Sequence, residues 1–184
     1  MSIDIQDPLQ KTVPPRGKNL RFVDYIINRC QADNGLRAAL KRADNPATEY
    51  QSWEVLAGFR VDLEYESQRL PYATIGAAIA RTKAERNGTA KIGLAIARCY
   101  EDGNASDQAK AKLRRLLACD SVPEACRILR PLFSLIEAKC NIVLDYASLL
   151  DDLLWFGHDE SQLRIKARWA QDFYGKSVAG GKDE

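Results

Sequence analysis

From Leu20 to Tyr174 the apolar residues recur at three- and four-residue intervals, interrupted only by short polar punctuation. This periodicity limits the fold more than any other feature, because residues so spaced line one face of a helix. Phe22, Ile26 and Ile27 open a first helix that Asn34-Gly35 should stop. A short helix from Leu36 to Ala43 follows and ends before Asn45-Pro46. Thr48 begins a longer segment in which Trp53, Leu56, Ala57 and Val61 keep helical spacing. Val61, Leu63 and Tyr65 alternate with polar residues, but no partner run lies nearby, so the segment is read as helical.

Residues 75–81 (Ile-Gly-Ala-Ala-Ile-Ala-Arg) and 92–98 (Ile-Gly-Leu-Ala-Ile-Ala-Arg) echo each other. The match is too short for a solenoid unit. Both are read as helices whose Gly and Ala allow close packing, joined by a loop from Lys83 to Lys91 that is free to move. Further on, Tyr146, Leu149, Leu150, Leu153 and Leu154 form the stripe of a helix from Asp145 to Phe156. A last helix, Ser161 to Tyr174, buries Ile165, Trp169, Ala170 and Phe173 and ends at Gly175 in a cap position. Arg164, Arg168 and Gln171 face the other way, and Lys166, within the apolar arc, is read as a snorkelling stem.

The expected fold is all-α, two packed helical bundles with about nine helices, for which 184 residues supply enough core. Residues 1–19, with Asp7-Pro8, Pro14-Pro15 and Gly17, form a flexible lead-in. The bundles are assigned to 20–103 and 104–176, meeting at the polar linker Glu101 to Ser106, and 177–184 to a disordered tail. The N-terminus has no basic leader before an apolar run, and no stretch approaches a membrane span. Five cysteines, Cys30, Cys99, Cys119, Cys126 and Cys140, form an odd set without Cys-x-x-Cys spacing. They read as small core residues in a reducing cytoplasm.

Net charge is only +2, so its distribution matters more than its sum. Residues 69–91 carry Arg69, Arg81, Lys83, Arg86 and Lys91 against Glu85 alone, while 151–160 carry Asp151, Asp152, Asp159 and Glu160. Such segregation suits a polyanionic partner on one side. Between Lys110 and Arg130 two amphipathic helices carry six cations against Asp120 and Glu124. Leu113, Leu116 and Leu117 share one face, so Arg115 points outward and Lys112 and Arg114 flank the apolar stripe. Arg127, Arg130, Ser134 and Glu137 fall on one polar stripe of the second helix, which Pro131 should kink or restart. Guanidinium groups at helical intervals suit phosphates, since each offers a planar donor fork.

Catalysis finds no support. His158-Asp159 has the form of a metal phosphohydrolase doublet, but such a site needs further histidines and the chain has one. There is no phosphate loop, dinucleotide fingerprint or Ser-His-Asp set. Asp151 and Asp152 are adjacent and diverge by about 100° on a helix, so they cannot share a metal or a proton. No enzyme, metal or cofactor is expected.

Four segments carry a resemblance: Ala-Lys-Leu-Arg-Arg-Leu-Leu-Ala-Cys-Asp (111–120), Leu-Arg-Pro-Leu-Phe (129–133), Leu-Asp-Tyr-Ala-Ser-Leu-Leu-Asp-Asp-Leu (144–153) and Arg-Trp-Ala-Gln-Asp-Phe-Tyr (168–174). In their order and spacing the chain resembles the CasB family, the small subunit of the type I-E CRISPR Cascade complex. The resemblance implies two helical bundles, present as a pair in a crRNA-guided complex and packed on its backbone and large subunits. It implies a basic surface toward crRNA, target DNA and displaced strand that stabilises the R-loop without cutting DNA, in the cytoplasm. Arg115, Arg130 and Arg168 match motif positions, and Arg42 and Arg69 are carried over beside them. With Lys112 and Arg127 they form the candidate nucleic-acid-binding set.

Guided recognition leaves sequence reading to base pairing, so an accessory subunit needs only phosphate contacts. Two other readings stay open at this point. A helix-turn-helix regulator would need base-reading side chains at the start of its second helix, where Pro123, Glu124, Ala125 and Cys126 stand. A helical adaptor without a nucleic-acid role would leave the arginines salt-bridged or solvated.

Overall fold

The computed structural model describes residues 16–175, in which nine α-helices follow one another without a β-strand. They are α1 (Arg16–Ala32), α2 (Asn34–Arg42), α3 (Trp53–Gly58), α4 (Glu66–Thr82), α5 (Ile92–Arg98), α6 (Asp107–Leu117), α7 (Val122–Lys139), α8 (Tyr146–Trp155) and α9 (Asp159–Tyr174). The fold is all-α, as the apolar spacing predicts. Four residues of the expected lead-in, 16–19, already belong to α1. The rest of that lead-in and the tail from Ser177 lie outside the described residues.

The packing centres on α4. Every residue from Leu70 to Ala80 is buried, a helix apolar on all sides that requires neighbours all round. α1, α2, α7 and α8 surround it. Its small residues let them approach: a methyl on Gly76 would already touch Leu40 on α2 at 3.4 Å. Phe22 of α1 meets Tyr72 of α4 edge to face at a centroid distance of 4.8 Å. The Tyr72 hydroxyl donates to Oδ1 of Asn19, 2.7 Å away, and the Asn19 amide donates to Asp151 on α8. That chain satisfies an Asn with no exposure at all.

Around this helix the buried apolar residues form one contiguous cluster, from Phe22 on α1 to Phe173 on α9. α5 lies against α9, with Trp169 almost fully buried and stacked on Phe156. Local side chains start the helices. Asp33, Ser106, Ser121 and Asp145 are N-caps of α2, α6, α7 and α8, each accepting a backbone N–H of the first turn. α7 runs as one helix through Pro131, which sits on its exposed side.

Three local expectations change. Asn34-Gly35 does not stop α1; the break falls at Asp33, whose side chain caps α2, and Asn34-Gly35 forms the first turn of that helix. Residues 59–65 are not helical. Arg60 adopts the left-handed region at φ 56° just after α3, and the chain runs on irregularly to α4 with Val61 buried. The segment from Lys83 to Lys91 is a loop, but a fastened one. Ala90 forms an isolated parallel bridge with Leu144, Gly88 N–H donates to the Leu144 carbonyl, and Asn87 bonds both Asp145 and the Ala147 N–H.

Candidate nucleic-acid interface

On α6, Leu113 and Leu116 are buried, which turns Arg114 and Arg115 outward and leaves Lys112 half-buried beside them. On α7, Ala125, Cys126, Leu129 and Phe133 are buried, and Arg127 is exposed one turn before Arg130. The spacing thus places Arg115 and Arg127 as expected. The first turn of α7 is occupied otherwise: Ser121 caps it, the Glu124 carboxylate accepts the Asp120 N–H at 2.9 Å, and Ala125 and Cys126 face the core. It presents no base-reading side chains of the kind a recognition helix uses.

Arg130 turns inward. Its side chain is 14% exposed, and its Nε, buried without a hydrogen-bond partner, lies 3.7 Å from Oδ1 of Asp44. Oδ2 of the same carboxylate pairs with Arg81 of α4, whose guanidinium also donates to Ser134 of α7 at 2.9 Å. Asp44 therefore serves two guanidinium groups from two helices. The node keeps a surplus positive charge, which a single carboxylate cannot neutralise. Arg42, two residues before Asp44 at the end of α2, is exposed and donates to Gln51 at 3.2 Å. Arg81 is the member the sequence reading did not select. Its place in the basic run 69–91 was a signal, but the shared carboxylate joins residues distant in the chain.

Arg69 and Arg168 are held elsewhere. Arg69, 18% exposed, donates to Glu49 at 2.6 Å and to the Leu63 carbonyl, and lies over the Trp53 ring at 5.7 Å. These contacts fasten the irregular segment before α4. Arg168 pairs with Asp152, which also accepts the Trp169 indole N–H at 2.8 Å. Burial pushes the Asp152 carboxyl above its usual range despite these donors. The pair borders a cleft of about 570 Å³ where Asp145, Asp151, Asp152 and Asp172 outnumber Lys91 and Arg168. Such a lining disfavours phosphate.

The segregation of charge along the chain is partly offset in space. Arg69 meets Glu49, Arg81 meets Asp44, Lys91 meets Asp145 and Arg168 meets Asp152. Lys166 behaves as a snorkelling stem, with its ammonium 5.7 Å from the Phe156 ring centroid and 3.3 Å from Asp120. His158, before α9, is exposed against Trp155. Among the described residues, no three His, Cys, Asp or Glu side chains group as a metal site.

The model of the CRISPR-associated protein Cse2 family matches residues 36–174. The chain belongs to the Cse2 family. No curated protein matches it. Among solved structures, this Cse2-family chain is similar to CasB from M. ruber at 22% identity, covering 85% of this chain and 92% of that one with a TM-score of 0.67. It is similar to a Cse2-family CRISPR-associated protein from Thermus thermophilus at 23% identity, covering 86% and 98%, TM-score 0.64. A chain of a CRISPR RNA-guided surveillance complex is 19% identical, with 86% and 92% covered and a TM-score of 0.65. At these identities the likeness is one of fold.

Proposed function

We propose that this chain is the non-catalytic small subunit of a crRNA-guided Cascade complex, and that it steadies the R-loop by gripping nucleic-acid backbone. Membership of the Cse2 family and the fold likeness to a surveillance-complex chain support the assembly. Its partners are then the other Cascade subunits, crRNA, target DNA and a second copy of itself. The observation that carries the nucleic-acid role is the set of cations on α6 and α7. Arg115 and Arg127 are exposed with no carboxylate paired to them among the described residues, and behind them Arg81 and Arg130 share one.

Arg115, Arg127, Arg130, Arg42 and Lys112 are the contacts we assign, with Arg81 added. Arg69 acts inside the fold instead, and Arg168, though exposed, is held by Asp152 at the rim of the acidic cleft. R-loop formation exchanges duplexes of similar stability, so a few phosphate contacts on a single strand shift the balance. Each neutralised phosphate adds about 0.7 to the salt slope for single strands.

The test uses the assembled complex with its guide. Replacing Arg115 and Arg127 together by Ala should leave assembly intact and weaken binding alike for every matched target. The slope of log affinity against log salt should fall by about 1 to 2. Wild-type affinity and slope in that variant would overturn the reading. A helical adaptor predicts that null result.

A further inference from the structure

We infer that Cys99 and Cys140 form an oxidation site, at which one intramolecular disulfide closes between the ends of α5 and α7. Their sulfurs lie 3.2 Å apart. Cys99 is the C-cap of α5 and Cys140 the C-cap of α7, so each follows the last full helical residue and is freer to adjust than a residue inside a helix. A disulfide spans about 2.05 Å, so closure asks for a little over 1 Å of sulfur movement. Both thiols already face one carbonyl: Cys99 Sγ donates to Ala95 O at 3.2 Å, and Cys140 Sγ lies 3.9 Å from the same atom. None of Cys30, Cys119 and Cys126 has another thiol within hydrogen-bonding distance among the described residues.

Access fits the same assignment. Cys140 is half-buried, and a cleft of about 660 Å³ lined by Tyr100, Glu101, Asp102 and Lys139 reaches Cys99. A small peroxide is the oxidant this geometry admits. The Cys140 thiolate attacks one oxygen of hydrogen peroxide and the O–O bond breaks. Cys140 becomes a sulfenic acid, and the departing hydroxide takes the thiol proton as water. The Cys99 sulfur then attacks the sulfenyl sulfur. The S–S bond forms, the S–O bond breaks, and the leaving hydroxide takes the Cys99 proton as a second water. Two thiols lose two electrons, which reduce one peroxide to two waters. Burial pushes the Cys99 thiol up to about 12, reinforced by Cys140 and opposed by Lys139. Cys140, the less buried of the two, is the point of entry and Cys99 the slower, resolving partner. The bridge would tie α5 to the far end of α7, closing a loop that contains the whole of α6 and α7.

The experiment treats the full-length protein with hydrogen peroxide and reads intact mass, free thiols under denaturation and disulfide-linked peptides. Wild type should lose about 2 Da, fall from five reactive thiols to three, and yield a Cys99–Cys140 peptide pair. Its melting temperature should rise by about 5 to 15 °C, reversibly with a thiol reductant. C140S, altered at the less buried position, should keep its remaining thiols unbridged. C99S should instead stop at a Cys140 sulfenic acid that dimedone captures. The assignment is overturned if five thiols persist, if the bridge maps to Cys119 and Cys126, or if the product is a linked dimer. Peptide mapping of wild type decides the matter even if C99S does not fold.

Discussion

Gly93 on α5 and Trp169 on α9 meet backbone to backbone: a Cβ on Gly93 would stand 2.1 Å from the Trp169 carbonyl oxygen. Here the glycine serves close approach, not an unusual φ, and this contact sets the separation of the two helices. Gly93→Ala must push α5 away from α9 and loosen the packing around Trp169. The expected cost is about 2 kcal/mol or more, measured by urea unfolding against wild type. Unchanged stability would mean that α5 and α9 do not pack this closely.

Asp44 holds Arg81 and Arg130 together, with all three side chains less than a quarter exposed. Asp44→Ala leaves two adjacent guanidinium groups unpaired. The fold should lose about 1 to 3 kcal/mol, below the cost for a fully buried pair because solvent screens part of the charge. In the assembled complex the same variant should bind target DNA with a steeper salt dependence, since both arginines are released toward phosphate.

Arg69 and Arg115 separate the structural from the exposed cations. Arg69→Ala strands the buried Glu49 carboxylate and should cost about 2 to 4 kcal/mol. Arg115→Ala should stay within about 0.5 kcal/mol of wild type, because it removes an exposed side chain that has no partner among the described residues. Denaturant titration of the two variants side by side checks the contrast.

Asp145 supplies a pH signature. Burial works against its charged form, but hydrogen bonds from Lys91, Asn87 and the Ser148 N–H hold its carboxyl below the usual range. A carboxylate lowered on folding contributes its full stability above its unfolded value of about 3.9 and loses it as pH falls through the folded value. Asp145→Asn keeps a capping oxygen but not the charge facing Lys91. Wild type should therefore exceed D145N by up to about 1 kcal/mol near neutrality, Lys91 being partly solvated. The gap should close below pH ~4, followed by denaturant unfolding at each pH.

Helix identity was legible in the chain because burial imposes a period. Leu113 and Leu116 on α6, and Ile165, Trp169 and Phe173 on α9, all face the core where their spacing puts them. Legibility stopped where a single side chain or dihedral decides. Asp33 turns Asn34-Gly35 from a stop into a start, and the positive φ of Arg60 ends α3 before Val61. The candidate interface was legible only as exposure. Arg115 and Arg127 follow from their helix faces, whereas the fate of Arg130, Arg69 and Arg168 depended on Asp44, Glu49 and Asp152. Ion pairs between distant segments leave no period in a sequence.

The setting of α4 has a consequence for how the protein is made. Its flanks rest on α7 and α8, α1 rests on α8, and α5 on α9. A ribosome delivers the chain from its N-terminus, so these early helices emerge with apolar surface whose cover has not yet been synthesised. Completion of the core waits for Trp169 and Phe173 on α9. A chain cut short before α9 should therefore expose apolar surface and aggregate more readily than wild type.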